Sequence, residues 1–323
     1  MTKRIAVGFT LLAAGFFVPG ATLAQAERST DYPNRPIRLV VPFGPGGGSD
    51  YVGRLVGQKL SAQMGQQVVV DNRPGAASLV GTEIVARAAA DGYTLCLCDV
   101  GFTINPAYYR KTTYDPIKSF DPVMVVAETP YILVVNPGLP YVSSIKDFIA
   151  AAKAQPGKIN LGSAGSGSGT HFSGELVKQR AGINLVHVPY KGTGQAMGDL
   201  LGGQVVLMFD QPVSSLPHVK TGKLKVLGIS SGKRFPTLQE IPTIAEQGLA
   251  GFEAISWSGV CAPGRTPADI VHTLRDPDEL DTKLGKTDGA NPRVTSLILN
   301  KRAARRAATN EDHAHSGGRV DLW

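Results

Sequence analysis

The sequence predicts an α/β fold of two lobes, each with a doubly wound sheet, and three observations support it. Its 323 residues are enough for two domains with sizeable cores. Short apolar strands alternate with segments whose apolar residues recur at helical spacing. Each half also contains a glycine-rich turn between a strand and a helix: VPFGPGGGSD at residues 41–50 and GSAGSGSGTH at residues 162–171. Glycine backbones and helix N-termini bind anions, so two such turns predict a ligand cleft.

The first half is predicted to alternate strands and helices. We expect strands over residues 37–41, 68–70 and 93–98, and helices over residues 50–64 and 79–90. Gly65 is a typical helix terminator. This β-α-β-α-β order predicts a parallel sheet, because each crossover helix returns the chain to the same side.

The second half repeats this pattern. We expect strands over residues 131–135, 158–161, 186–190, 205–209 and 225–230, and helices over residues 144–154, 170–181 and 196–201. Ligands of open α/β sheets bind at the carboxyl ends of the strands, which is where both glycine-rich turns are predicted to lie.

The N-terminus has the features of an export signal. Lys3 and Arg4 precede an apolar run over residues 5–18, and the small-residue sequence AQA at 24–26 fits a cleavage site. The apolar run is shorter than the roughly 20 residues that span a bilayer, which argues against a membrane anchor. We therefore expect residues 1–26 to be removed and the mature protein to begin near Glu27.

Composition and motifs exclude several functional classes. The net charge is +7, but no basic run lies beside aromatic residues, so no nucleic acid partner is expected. Neither glycine-rich turn has the spacing of a P-loop or of a dinucleotide-binding motif. Three cysteines, Cys96, Cys98 and Cys261, argue against a disulfide framework and are interpreted as small buried thiols. No metal and no cofactor are expected.

A hydrolase is the main enzymatic alternative, because Ser163, Ser166, Ser168 and His171 lie in one loop. No G-x-S-x-G motif is present, and catalysis also needs a base oriented by a third group. We expect these hydroxyl groups instead to bind a ligand or to cap the following helix, with ligand contact favoured for Ser163.

Three further residues have open roles. Asp50 either caps the first helix or contacts the ligand. Asp210 ends an apolar strand at the predicted cleft, where its carboxylate could accept a ligand amine or hydroxyl or hold a loop amide. Phe43 is either a hydrophobic wall of the pocket, which we favour, or a residue of the core.

A series of motifs carries a resemblance to a known family. In order they are PIRLVVPF at residues 36–43, PGG at 45–47, VDNRPGA at 70–76, ADGYTL at 90–95, SAGSGSGTH at 163–171, HVPYKG at 187–192, DLLGGQV at 199–205, IPT at 241–243, GL at 248–249, Trp257 and AP at 262–263. Their order and spacing, continuous from about Tyr32 to Leu274, resemble the Bug, or TctC-like, extracytoplasmic solute receptors of tripartite tricarboxylate transport systems.

The resemblance implies a periplasmic-binding-protein-like fold with a hinge and an interlobe cleft, located in the periplasm. It implies no enzymatic activity, capture of a small carboxylated solute, two integral-membrane transporter subunits as partners, and a monomer. The ligand-binding residues that it implies are Phe43, Gly46, Gly47, Ser49, Asp50, Ser163, Ala164, Gly165, Ser168, Thr170, His171 and Asp210. Ser49 and Ala164 fall where the family varies, so the solute stays open.

The resemblance also predicts the lobe boundaries. The first lobe is expected over residues 27–128 and 251–274, and the second over residues 129–250. Beyond residue 274 the family pattern stops, and residues 275–323 contain a basic run, KRAARR at 301–306, with few large apolar residues. We interpret this aberrant tail as frameshifted, with a genuine disordered tail as the alternative. A receptor that has lost function through this tail is thus a further alternative.

Overall fold

The computed structural model describes residues 31–139 and 141–275, which form ten strands and eight helices. The first part of the chain contains β1 Ile37–Val41, α1 Gly48–Met64, β2 Val68–Asn72, α2 Leu79–Ala86, β3 Thr94–Asp99, α3 Val100–Tyr108 and β4 Phe120–Pro130. The middle part contains β5 Ile132–Val135, α4 Ile145–Ala154, β6 Asn160–Ser163, α5 Gly169–Ala181, β7 Val186–Pro189, α6 Thr193–Leu201, β8 Leu207–Asp210, α7 Pro212–Lys220 and β9 Lys225–Ile229. The last described elements are β10 Ile255–Pro263 and α8 Ala268–Arg275.

The strands form two five-stranded sheets, one in each lobe. The first sheet has the order β2-β1-β3-β10-β4, and the second has the order β7-β6-β8-β5-β9. Each sheet has its own apolar core, which includes Leu39, Leu95 and Val260 in the first lobe and Phe148 and Phe209 in the second. The predicted α/β fold of two lobes is confirmed.

The sheets are mixed, whereas the strand and helix order predicted parallel ones. Strand β10 runs antiparallel to both β3 and β4, and β5 runs antiparallel to both β8 and β9. Each reversed strand is the first strand after the chain changes lobe. Strand β5 begins at Ile132, one residue after β4 ends at Pro130, and β10 follows β9 of the second sheet. Without a crossover helix, the chain does not return to its starting side, so β5 enters its sheet in reverse.

The three cysteines lie together in the first lobe. Cys96, Cys98 and Cys261 are buried free thiols, and Cys96 pairs with Cys261 across β3 and β10. Burial raises the pKa of the Cys98 thiol well above its ordinary value, which keeps it protonated. The prediction of small buried thiols is confirmed.

Several predictions concern segments that the structure describes only in part. The proposed signal peptide lies outside the described residues, and so does the proposed tail except for Arg275, which ends α8. Within residues 31–139 and 141–275, no helix is long and apolar enough to cross a membrane.

Candidate functional site

Both glycine-rich turns lie at the carboxyl ends of parallel strands. We call residues 42–50, which link β1 to α1, the first cradle, and residues 162–171, which link β6 to α5, the second cradle. In the first cradle, Gly46 has a φ of +83°, a conformation that side chains rarely adopt. A Cβ atom on Gly47 would lie 2.5 Å from the Thr193 hydroxyl of the second lobe, so a larger residue here would have to displace Thr193.

Asp50, the last residue of the first cradle, stabilises this turn through its side chain. Its carboxylate accepts hydrogen bonds from the Gly46 N–H, the Asn72 side-chain amide and the Arg54 guanidinium, all at 3.0 Å. Asp50 is only 5% exposed. Burial alone would raise the pKa of Asp50, but the hydrogen bonds from Arg54, Gly46 and Asn72 lower it below its ordinary value. The carboxylate is therefore ionised, and it fixes the turn.

Hydroxyl groups hold the second cradle. Ser168 caps α5 by accepting from the His171 N–H at 3.2 Å, and its hydroxyl donates to the Gly165 carbonyl at 2.7 Å. The Thr170 hydroxyl accepts from the Ala164 N–H at 2.9 Å. These side chains are buried, so the loop is fixed by short internal hydrogen bonds.

Two histidines lie close together at the second cradle: His171 is its last residue, and His187 lies in β7. The Ser163 hydroxyl oxygen lies 2.6 Å from Nε2 of His187 and accepts from the Gly165 N–H, while the His187 and His171 rings are 4.2 Å apart. His171 Nδ1 accepts from the Gly167 N–H, which makes this nitrogen unprotonated. Burial lowers both pKa values, that of His187 to about 4, so both rings are neutral at pH 7.

A cavity separates the two cradles. Its lining residues are Phe43, Gly44, Gly47, Gly48, Ser49, Asp99, Tyr131, Ala164, Ser168, Gly169, Thr170, Thr193, Asp210, Gln211 and Ser256. Both lobes contribute, and the set contains two carboxylates but no lysine, arginine or histidine. The cavity therefore presents hydroxyls, amides and backbone groups to a ligand.

The structure brings seven of the predicted ligand-binding residues to this cavity. They are Phe43, Gly47, Ser49, Ala164, Ser168, Thr170 and Asp210. The remaining five lie outside the lining and are Gly46, Asp50, Ser163, Gly165 and His171. They belong to the cradles themselves, where the contacts above hold the loops in shape.

Sequence reasoning missed some of the lining. Gly44, Gly48 and Gly169 belong to the glycine motifs themselves, and Asp99 and Gln211 lie at or just after the carboxyl end of a strand. That position is a usable signal in an open α/β sheet. Tyr131 and Ser256 lie near the chain crossings between the lobes and carry no such signal.

The two carboxylates at the cavity, the half-buried Asp99 and the fully buried Asp210, have different partners. Oδ2 of Asp210 accepts from the hydroxyls of Ser214 and Ser215, both at 2.6 Å, while Oδ1 has no hydrogen-bond partner within the described part of the chain. Burial raises the pKa of Asp210 despite those hydroxyls. Asp99 caps α3 by accepting from the Phe102 N–H, and burial raises its pKa to about 6.

The lobes also contact each other directly beside the cavity. The Gly44 N–H donates to the Lys191 carbonyl at 2.8 Å, and the Gln211 side-chain amide donates to the Ser256 hydroxyl at 2.9 Å. A Cβ atom on Gly194 would lie 2.2 Å from the Pro45 carbonyl oxygen, so the two backbones touch. These contacts hold the lobes together around the cavity.

Known proteins share this architecture. Three similar solved structures are BugD, a periplasmic binding protein; Rpa4515 from R. palustris with adipate; and MatC from Rhodopseudomonas palustris with bound malate. BugD is 36% identical, with 87% of this chain and 98% of BugD covered and a TM-score of 0.77. Rpa4515 is 37% identical, covering 83% and 88%, with a TM-score of 0.74. MatC is 31% identical, covering 85% and 98%, with a TM-score of 0.75.

A family-wide comparison agrees with these structures. The family described as "Tripartite tricarboxylate transporter family receptor" matches residues 52–283, which include most of both lobes. The resemblance found in the sequence motifs is thereby confirmed. The chain belongs to the tripartite tricarboxylate transporter receptor family.

Proposed function

We propose that this protein captures a small carboxylate-bearing solute between its two lobes for a tripartite tricarboxylate-type transporter. The observation that carries the proposal is the cavity between the two cradles. Two helices begin at residues that line it. Helices α1 and α5 start at Gly48 and Gly169, so the N–H groups of their first turns have no acceptor within the helix. A carboxylate between these helix ends would accept from those groups and meet the positive ends of both dipoles.

Two relatives support the class of solute. Rpa4515 is described with adipate and MatC with malate, and both are small carboxylates. We propose for this chain the same general class and the twelve site residues named above, seven in the cavity lining and five elsewhere in the cradles.

The family consists of solute-binding receptors rather than enzymes, so the hydrolase alternative is wrong. The geometry gives a physical reason. Ser163 is fully buried and lies outside the cavity lining, and its histidine neighbour is His187 rather than His171. The nearby carboxylate, Glu175, lies 3.7 Å from His171 and is not hydrogen-bonded to His187. The pair is therefore not arranged as a nucleophile with an oriented base.

Location, partners and boundaries complete the proposal. Members of the family are periplasmic binding proteins. We propose that residues 1–26 direct export and are cleaved, that the mature protein is a periplasmic monomer, and that two integral-membrane subunits receive the solute. The lobe boundaries at residues 128/129 and 250/251 belong to the same proposal.

A ligand screen tests this function. The protein would be produced from Glu27, unfolded and refolded to remove any bound solute, and melted against mono-, di- and tricarboxylates and amino acids. A solute that binds only the folded state raises Tm, so we expect one class of carboxylate to shift the transition. A cooperative transition that no carboxylate moves contradicts the proposal.

A pair of variants tests whether the solute binds in the cavity. Ser49→Phe fills the cavity and is expected to abolish the shift, whereas Ser143→Phe places the same bulk on an exposed surface and should retain it. Equal loss in both variants would mean that the cavity is not the binding site.

A further inference from the structure

Three thiols share one face of the first sheet. Cys96 and Cys98 lie two residues apart in β3, so their side chains point to the same side of that strand, and Cys261 of β10 belongs to the same apolar cluster. Burial raises the pKa of the Cys98 thiol, and hydrogen bonding to the Cys261 and Cys96 thiols raises it further. The three sulfur atoms are therefore close neighbours.

The register of the two strands selects one pair of these cysteines. Strand β10 runs antiparallel to β3, with Cys261 directly opposite Cys96 and Gly259 opposite Cys98. Residues directly opposite each other in such a pair have Cα atoms about 4.5–5.5 Å apart, which is within the range of a disulfide. Cys98 is diagonal to Cys261, where the separation is about 7–8 Å and a disulfide would need backbone movement.

Oxidation is the chemistry that this cluster favours. Clustered thiols in proteins bind metal ions or form disulfides. Within residues 31–139 and 141–275, no three His, Cys, Asp or Glu side chains are placed to hold a metal ion together. Members of the family are periplasmic binding proteins, and the periplasm is a compartment in which disulfides form and persist.

We infer that Cys96 and Cys261 form a disulfide when the chain folds in an oxidising compartment, and that Cys98 remains a thiol. This inference goes beyond the proposed function and shares with it only the periplasmic location. The oxidant is a second disulfide. The thiolate of one cysteine attacks it, forms a mixed disulfide and releases one thiol of the oxidant. The thiolate of the other cysteine then displaces the second thiol, so two electrons and two protons pass from the cysteine pair to the oxidant.

The exchange belongs to folding, because the folded protein shields the pair. Cys96 is fully buried and Cys261 is only 3% exposed. Thiol–disulfide exchange needs a thiolate that the oxidant can reach, and the two cysteines offer this before β10 pairs with β3. The same burial then protects the completed bond from reductants.

The bond would fasten the strand by which the chain returns to the first lobe. Strands β3 and β10 are neighbours in the first sheet, and the whole second sheet lies between them in sequence. A crosslink that closes so long a loop strongly restricts the unfolded chain. Both strands also border the cavity, through Asp99 and Ser256. The bond therefore fixes the register on which this side of the cavity lining depends.

Counting reactive thiols tests the bond. The mature protein, produced from Glu27, would be unfolded with reductant, refolded with either glutathione disulfide or reductant, and alkylated with iodoacetamide in denaturant. The chain has three cysteines, so we expect one alkylated cysteine after oxidising refolding and all three after reducing refolding. We also expect Tm of the oxidised form to be higher by about 5–10 °C.

Variants assign the bond to one pair. Cys96→Ala and Cys261→Ala should each remove the difference in Tm between the two refolding conditions. Cys98→Ala is the matched control in the same strand and should keep that difference. Each variant is compared with itself in the two conditions, so a general loss of stability on substitution does not affect the result.

Other outcomes overturn the inference. Three alkylated cysteines after refolding with glutathione disulfide would mean that no bond forms. A bond that persists in Cys96→Ala would mean that Cys98 is the partner of Cys261, against the assignment from strand register. Equal Tm in the oxidised and reduced forms would contradict the stabilising role. None of these measurements needs a solute, so they can fail while the ligand screen succeeds, and the reverse.

Discussion

Both cradles link a parallel strand to the start of a helix, but they are held by opposite chemistry. In the first, the ionised Asp50 accepts hydrogen bonds from the Gly46 N–H, the Asn72 side-chain amide and the Arg54 guanidinium. In the second, the supports are hydroxyl groups and the neutral rings of His171 and His187. A glycine-rich turn at the start of a helix can thus be fixed either by a buried charge or by uncharged groups.

The difference has an electrostatic consequence. Asp50 places a negative charge, only partly balanced by the exposed Arg54, directly behind the amides of the first cradle. The second cradle has no such charge, because its histidines are neutral and its hydroxyls carry only dipoles. We therefore expect the solute carboxylate to interact more strongly with the second cradle and the first cradle to contribute more to stability.

The largest effect is expected at Asp50. Asp50→Ala leaves the Gly46 N–H and the Asn72 amide without their buried acceptor, and we expect the free energy of unfolding to fall by about 2–3 kcal/mol. Urea unfolding measures this. Arg54→Ala removes the exposed partner alone and should cost less than about 1 kcal/mol. Equal losses in the two variants would show that the ion pair, not the buried carboxylate, supports the cradle.

The next effect concerns the contact between the lobes. Gly194→Ala sets a methyl group against the Pro45 carbonyl, so the lobes cannot approach as closely. We expect solute affinity to fall about tenfold, or about 1.4 kcal/mol, with a larger radius of gyration in X-ray scattering. Gly198→Ala is the control in the same helix, because a Cβ atom there meets nothing within 4 Å. Unchanged affinity in Gly194→Ala would mean that closure does not need this contact.

A smaller effect is expected in the second cradle. Ser168→Ala removes the cap of α5 and the bond to the Gly165 carbonyl, which should cost about 1–2 kcal/mol of unfolding free energy. Ser166→Ala, in the same loop, changes a hydroxyl that makes no hydrogen bond within residues 31–139 and 141–275 and should cost much less. A loss in Ser168→Ala larger than that in Asp50→Ala would reverse the comparison between the cradles.

The smallest expected effect is the pH dependence that distinguishes the lobes. His187 has a pKa of about 4 in the folded protein against 6.5 when unfolded, so its stabilising contribution is lost as pH falls from 6.5 to 4. With solvent screening, this loss is about 1 kcal/mol. Asp99 acts oppositely, because its folded pKa of about 6 exceeds the unfolded value of 3.8, so folding gains stability as pH falls through this window.

Substitutions separate these two contributions. As pH falls from 6.5 to 4, the free energy of unfolding of His187→Asn should decrease less than that of the unchanged protein. That of Asp99→Asn should decrease more. Parallel stability curves for all three proteins would contradict both assignments.

Local sequence signals predicted the start of helices α1 and α5 to within two residues. Helix α1 was expected from residue 50 and begins at Gly48, and α5 was expected from residue 170 and begins at Gly169. Helix α2 was expected to continue to residue 90 but ends at Ala86. The three alanines at 88–90 favour a helix, but the chain must instead turn at Asp91 to start β3, where the Asp91 side chain accepts from the Tyr93 N–H.

Four elements were not predicted from the sequence, for two different reasons. Helices α3 and α7 contain Pro106 and Pro217, which weaken the helical signal. Strands β4 and β10 acquire their structure by pairing with each other across more than a hundred residues of chain. The same reason applies to the site, since Tyr131 and Ser256 reach the cavity only through these crossings.

The direct contacts between the lobes separate affinity from selectivity. The Gly44 N–H bond to the Lys191 carbonyl and the Tyr109 hydroxyl bond to the Ser166 carbonyl join protein to protein and involve no solute atom. Under the proposed function, their free energy adds the same amount to the closure around every solute, so strengthening them is expected to multiply all association constants by one factor. Discrimination between solutes then belongs to the cavity lining alone. Substitutions at the lobe contacts can thus tune how scarce a solute the receptor detects without changing which solute it prefers.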